Sequence, residues 1–195
     1  MSMKTIAQLD QEQIVFVDVH GRPTGQVGPK ISSHTSTTQL HLAFSCYVFN
    51  SQGELLITKR AAGKRIWPNV WTNTVCGHPA PGELFEDAIT RRLDYELGLP
   101  PVDGLVNVVG EYIYTTPPYN DIIEHEFCPI YAGVLSNEPK PNPDEVDDYK
   151  WVSWQWLTDE VAKDSQDPGV YSFWMKDQLK LLCEHPVVRE LSQRI

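Results

Sequence analysis

The chain has 195 residues and a formal net charge of -10 at pH 7, from 16 Lys and Arg against 26 Asp and Glu. That acidity argues against broad nucleic-acid binding and against a polybasic membrane surface, though not against a local basic pocket. The length fits a single domain, 1–195, with residues 1–13 as an N-terminal extension. Met1 to Gln13 lack the apolar stretch of a secretory signal, and no apolar run approaches the ~20 residues of a membrane span. Four widely spaced cysteines without a Cys-x-x-Cys pair point to free thiols in the reducing cytoplasm.

In chain order, Ile14 to Val19 reads as a strand, His20-Gly21 as a turn, and Thr24 to Val27 as a returning strand. Leu40 to Asn50 is expected as one strand, with Leu40, Leu42, Phe44, Cys46 and Val48 on an apolar face. His41, Ala43 and Ser45 begin the other face. Ser51-Gln52-Gly53 turns the chain back into a strand from Glu54 to Lys59. Thr72 to Pro79 reads as a polar turn. From Gly82-Glu83 onward, Leu84, Phe85, Ala88, Ile89, Leu93 and Leu97 recur at helical spacing, and Gly98 with Pro100-Pro101 ends the helix. Strands are expected near 105–115, 123–134 and 149–152. Pro139, Pro141 and Pro143 mark an exposed loop. Helices are expected at about 153–163 and 171–184, with a last turn at 187–193. This order predicts an α+β fold, an α/β/α sandwich around a mixed sheet.

The chemistry concentrates in a few segments. Cys76 and His78 stand two residues apart, placing a thiol beside a candidate metal ligand. Glu124 and Glu126 share one face of a strand, with His125 on the other. Two carboxylates on one face repel unless a cation or a proton lies between them. Together with His34 and His41 they form a set of three nitrogens and two or more oxygens. That mixture suits Zn²⁺, Mn²⁺ or Fe²⁺, and near-octahedral geometry favours Mn²⁺ or Mg²⁺.

From Gly77 the chain also resembles the Nudix box, G-x5-E-x7-R-E-U-x-E-E-x-G-U with U apolar. Gly77, Glu83, Arg91, Glu96 and Gly98 match. Arg92 and Tyr95 stand where the box has glutamates. The resemblance implies a Nudix-like fold, and the missing carboxylates argue against metal-assisted attack of water on a diphosphate. Glu96 lies four residues after Arg92, which from spacing alone is also an ordinary surface salt bridge.

Four motifs in this order, His34-Thr35-x5-His41-Leu42-Ala43-Phe44, Trp71-Thr72-Asn73-x-Val75-Cys76-Gly77-His78-Pro79, Arg91-Arg92-x3-Glu96-Leu97-Gly98 and Glu124-x-Glu126-x-Cys128-Pro129, resemble the type I isopentenyl-diphosphate Δ-isomerases. The likeness covers roughly residues 14 to 180. It implies Cys76 and Glu126 as an acid/base pair, Tyr114 as hydrogen-bond partner of Glu126, and Trp174 as an indole face toward a carbocation. It implies a first metal on His34, His41, His78, Glu124 and Glu126, being Mn²⁺, Zn²⁺ or Mg²⁺. It also implies Glu96 as ligand of a Mg²⁺ that arrives with the substrate diphosphate, and Lys30, Arg60, Lys64 and Arg92 as the diphosphate grip. The substrate is then a small isoprenoid diphosphate, with no flavin, nucleic acid or membrane partner, in a monomer or homodimer. From the residues alone a Nudix hydrolase, a catalytically silent Nudix-like binding module and a redox-sensing role for Cys76 stay open.

Overall fold

The computed structural model describes residues 12–166 and 169–193. Most of the expected N-terminal extension, residues 1–11, lies outside this range. Glu12 and Gln13 belong to the folded part, because β1 (Gln13–Val17) already includes Gln13.

A five-stranded sheet has the order β2-β1-β3-β10-β9, built from β1, β2 (Pro23–Pro29), β3 (His41–Leu42), β10 (His125–Phe127) and β9 (Ile113–Thr115). A second sheet has the order β12-β5-β4-β11-β8, built from β12 (Val146–Ser153), β5 (Glu54–Arg60), β4 (Phe44–Phe49), β11 (Ile130–Val134) and β8 (Asp103–Val109). Both sheets are mixed: β3 pairs parallel with β10, and β4 parallel with β11.

The single strand expected over 40–50 is therefore two strands in two sheets, and 105–115 and 123–134 divide likewise. The chain passes between the sheets at Ala43 and again at Cys128-Pro129. The two crossings run side by side, with Ala43 N–H donating to the Phe127 carbonyl at 2.9 Å and Ser45 N–H to the Pro129 carbonyl at 3.1 Å. Pro129 has no N–H to place in a ladder, so a strand break there costs no donor. Every residue of β4 is buried, not one face only. Phe44, Cys46 and Val48 join Ala88, Ile89, Leu93 and Leu97 of the helix α2 (Phe85–Leu97). Tyr47 and Phe49 join Leu157 of α3 (Trp154–Lys163), Leu179 of α4 (Phe173–Leu182) and Val188 of α5 (Pro186–Ser192). Helices thus cover both faces of the second sheet, which is the expected α/β/α arrangement.

The expected polar turn at 72–79 is in part sheet. β6 (Trp71–Thr72) pairs with β5, and β7 (Val75–Gly77) pairs with β4. β4 and β5 pair directly only at Phe49 and Leu55, so this segment wedges between two diverging strands. Side chains replace the missing ladder. Thr74 Oγ1 accepts from Val48 N–H at 2.9 Å and donates to the Leu56 carbonyl at 2.6 Å. Asn73 Nδ2 donates to the carbonyls of Cys46 and Val75 at 3.2 and 2.8 Å. The wedge carries Cys76 and His78 into the molecule.

Ser153 and Ser172 cap α3 and α4 by accepting from Trp156 and Met175 N–H groups. Gly98 ends α2 at φ 60°, where a side chain would be strained and a Cβ would meet the Lys140 Cβ at 3.2 Å. Three short elements went unanticipated: β6, β7 and the single turn α1 (Lys30–Ser33). The four cysteines are free thiols. No helix among the described residues is long and apolar enough to cross a membrane.

The wedge yields a stability prediction. Thr74→Val keeps the shape but strands the buried Val48 N–H and Leu56 carbonyl, costing about 2–6 kcal/mol at roughly 1–3 kcal/mol per orphaned group. Urea denaturation should give a lower midpoint at unchanged slope.

Candidate active site

One cavity of about 190 Å³ opens where the wedge, α2, α1 and β10 meet. Twelve of the thirteen candidate residues line it: Cys76, Glu126, Tyr114 and Trp174; Lys30, Arg60, Lys64 and Arg92; His34, His78, Glu96 and Glu124. His41 alone is not on the wall. It is fully buried behind it, with Nε2 at 3.2 Å from His34 Nε2 and 3.3 Å from His78 Nε2. Ile31, Ile66, Ile122, Gly77 and Arg65 complete the lining.

The metal-ligand set converges more tightly than spacing could show. The three histidines place one nitrogen each within 4.8 Å of one another. Glu126 Oε1 lies 3.0 Å from His78 Nε2 and 3.6 Å from His41 Nε2. His41 Nδ1 donates to the Gln39 carbonyl at 2.9 Å, which leaves Nε2 facing the cluster; burial works to lower this ring, but its hydrogen bond to Glu126 raises it above its ordinary value. Burial first, then the neighbouring His78 and His41, push His34 down to about 2. Burial and Lys30 push His78 down to about 4. Both rings are therefore neutral near pH 7, with lone pairs available. His78 Nδ1 is buried without a hydrogen-bond partner, so the ring engages only through Nε2. The ring nitrogens and the Glu126 carboxylate face one another closely enough to share a cation, either a proton in a hydrogen bond or a metal, and three imidazoles with a carboxylate fit a divalent transition metal. Glu124 lines the same cavity, where burial and then Glu126 push its carboxyl up to about 7.

Glu126 has a second partner. Tyr114 OH donates to Glu126 Oε2 at 2.6 Å, across the β9–β10 pair Tyr114–Glu126. Burial works to raise the Glu126 carboxyl, but hydrogen bonds from His41 and His78 outweigh it and hold the group well below the usual range. Cys76 behaves oppositely. Burial pushes its thiol up to about 12, with Glu96 and Glu126 adding to the rise against Arg60, so it carries its proton at neutral pH. That protonation weakens the redox-sensor alternative, since a sensor thiol needs thiolate character.

Trp174 stands at the start of α4. Its Nε1–H donates to Asn73 Oδ1 at 3.1 Å, and the Arg60 guanidinium lies over its ring at 5.5 Å. Arg60 donates in turn to the carbonyls of Trp67 and Ile66 at 3.0 and 3.1 Å. Trp67 is buried at φ 52°, a left-handed conformation costly for a bulky residue. A local loop is thus held in a strained shape whose carbonyls fix one cation of the site.

The other cations form a buried network. Arg92 is not a surface residue: it is 6% exposed and Glu96 is 8% exposed. Arg92 Nε donates to Glu96 Oε1 at 2.8 Å, and its other nitrogens reach Glu145 at 3.0 Å and Glu12 at 3.4 Å. Lys30 bonds Glu12 at 3.0 Å, and Lys64 bonds Glu145. Gly77 makes room for this: a Cβ there would meet Arg92 Cγ at 3.2 Å. Glu145, Asn73 and Glu12 are functional-site neighbours that sequence reasoning missed. Glu145 follows the Pro139–Pro143 loop, and nothing in its local pattern sets it apart from the adjacent Asp144, Asp147 and Asp148.

Comparison with known proteins identifies the family. The NUDIX domain model matches residues 39–173. An isopentenyl-diphosphate Delta-isomerase of Klebsiella pneumoniae is 44% identical over 164 residues, covering 84% of this chain and 86% of its own. Proteins of the same name from Saccharopolyspora erythraea and Kocuria rhizophila are 45% and 42% identical over 89% and 92% of this chain, and 87% and 94% of their own. Among solved structures, DR0079 of Deinococcus radiodurans superposes with a TM-score of 0.64 at 17% identity, over 87% of this chain and 98% of its own, a likeness of fold alone. The chain therefore belongs to the NUDIX family and, within it, to the isopentenyl-diphosphate Delta-isomerases.

Proposed function

We propose that this chain converts isopentenyl diphosphate to dimethylallyl diphosphate, with Cys76 and Glu126 as its two proton-transfer groups. One observation carries the assignment: a protonated thiol and a tyrosine-bonded carboxylate share a cavity wall with Lys30, Arg60, Lys64 and Arg92. The cations suit a diphosphate, with arginine matched to forked phosphate contacts. The thiol and carboxylate suit proton movement at the carbon end.

The bond changes balance with protons alone. The alkene π pair takes a proton at C4 from one of the two groups, leaving a cation at C3. The C2–H bond then breaks, its electron pair forms the C2=C3 bond, and the proton passes to the other group. No electron acceptor is consumed, so the step needs no flavin. An alkene is a very weak base, so water must be kept from the cavity. Ile31, Ile66 and Ile122 line it beside the reacting groups. The Trp174 ring, held by Asn73, offers a π face to the cation without offering a nucleophile. Tyr114 donates to Glu126 and so tunes that carboxyl as it gains or loses a proton.

His34, His41, His78 and Glu126, with Glu124 near them, are the residues that would hold a divalent metal, whose charge would set the acidity of the Glu126 carboxyl. Mg²⁺ bound to the diphosphate counts as part of the substrate, with Glu96 as its protein ligand. A hydrolase reading is weaker, because Arg92 and Tyr95 occupy two carboxylate positions of the box and Arg92 fills its interior. The whole chain, 1–195, is taken as one catalytic domain.

In D₂O with metal and substrate, NMR should follow deuterium into dimethylallyl diphosphate. Cys76→Ala should cut turnover by on the order of 10²–10⁴-fold, as expected on loss of an acid/base group. Full activity in that variant, or bound substrate that never turns over in the wild type, would sink the assignment. Metal loading should also be visible without substrate. At an ion concentration near 100 times Kd, Mn²⁺ should add about 2.7 kcal/mol of stability. The resulting rise in Tm should vanish in His41→Ala, and a rise of equal size there would remove His41 from the ligand set.

A further inference from the structure

We infer that Glu145 is the positioning residue that aims Lys64 and Arg92 into the cavity as its anion-binding pair. The inference rests on the reading that these two cations receive the substrate diphosphate. Lys64 and Arg92 line the cavity; Glu145 does not. It stands behind them, 4% exposed, with one carboxylate oxygen, Oε2, bonded both to Lys64 Nζ and to Arg92, the latter at 3.0 Å.

Its own placement is fixed from two sides. Glu145 N–H donates to the Asn142 carbonyl at 2.9 Å, and its carbonyl accepts from Ala61 N–H at 3.0 Å. The Ala61 carbonyl then accepts from Lys64 N–H at 3.1 Å. Backbone and side chain of the lysine loop therefore both hang on this residue. A flexible lysine and a buried guanidinium would otherwise lose their geometry to entropy and mutual repulsion. Glu145 reduces both costs while Lys64 and Arg92 still line the cavity.

The charges around Lys64 give the inference a pH signature. Arg60 and Arg92 face it as cations, and Glu96 and Glu145 as carboxylates. Burial lowers the lysine from its ordinary value, Glu145 opposes that most strongly, and the two arginines add to the lowering. Neutralising Glu145 must lower it further. Lys64 then loses its proton, and the site one of its cations, at a lower pH than in the wild type.

The test compares kcat and KM for isopentenyl diphosphate in the metal-loaded wild type, E145Q, E145D, K64M and E145Q/K64M, from about pH 6 to about pH 11.5, a window that spans the ordinary lysine value of about 10.4 and the range below it. E145Q should raise KM on the order of tenfold, the scale of a lost charged hydrogen-bond partner, with kcat within about twofold. The upper limb of its kcat/KM profile should move to lower pH. E145D should show a smaller rise, and E145Q should raise KM less in the K64M background than in the wild type, because only its contact with Arg92 is left to lose. If E145Q does not fold, E145D carries the test, since a shorter carboxylate keeps the charge but not the reach. A wild-type KM and pH limb in E145Q (or an unchanged KM in E145D) beside a raised KM in K64M overturns the role of Glu145 and leaves the diphosphate reading standing. A wild-type KM in K64M overturns both.

Discussion

The structure around the site depends on one buried charge. The Arg92 guanidinium does not lose its proton in a protein, and taking it out of water costs several kcal/mol unless its donors are matched. Three carboxylates meet that demand: Glu96 one turn along the same helix, Glu145 just before β12, and Glu12 just before β1. Each comes from a different part of the chain, so a single side chain ties together the helix, the end of the proline loop and the first strand. Gly77 completes the fit by leaving Arg92 room to cross the wedge strand.

The same charge separates two chemistries available to this fold. A carboxylate at position 92 would gather metal around a water. An arginine there attracts carboxylates and, when an anion enters, presents it with a cation. Lys30, Lys64 and Arg92 are matched against Glu12, Glu96 and Glu145, so the cluster is close to neutral. A diphosphate entering it must bring positive charge or displace a carboxylate, which is a physical reason for the proposal that a divalent cation arrives with it. The groups proposed to transfer protons line the same cavity, where Cys76 holds a proton and Glu126 is held by histidines and Tyr114.

Much of this was legible in the sequence, and the rest was hidden for identifiable reasons. Cys76, His78, Glu124 and Glu126 stand in short motifs whose spacing carries their chemistry, and all of them reach one cavity. Helix α2 was readable from its apolar period, although Arg92 and Glu96 on its buried face look from spacing like any exposed pair. The strand breaks at Ala43 and Cys128-Pro129 were not readable, because the alternation of side chains continues through a change of sheet. The wedge at 71–77 was read as a turn because its strands are two and three residues long and its bonds come from Thr74 and Asn73 side chains. Glu145 and Glu12 lay beyond reach, since their roles exist only through contacts 53 and 80 residues away along the chain.

The central claim is that this site moves protons and leaves the diphosphate whole. Phosphorus NMR of isopentenyl diphosphate with the metal-loaded protein tests it most directly, read beside the proton spectrum of the same sample. The two diphosphate resonances should persist while the alkene signals convert to those of dimethylallyl diphosphate. Orthophosphate or pyrophosphate appearing at the rate of substrate loss, with the alkene unmoved, would contradict the account.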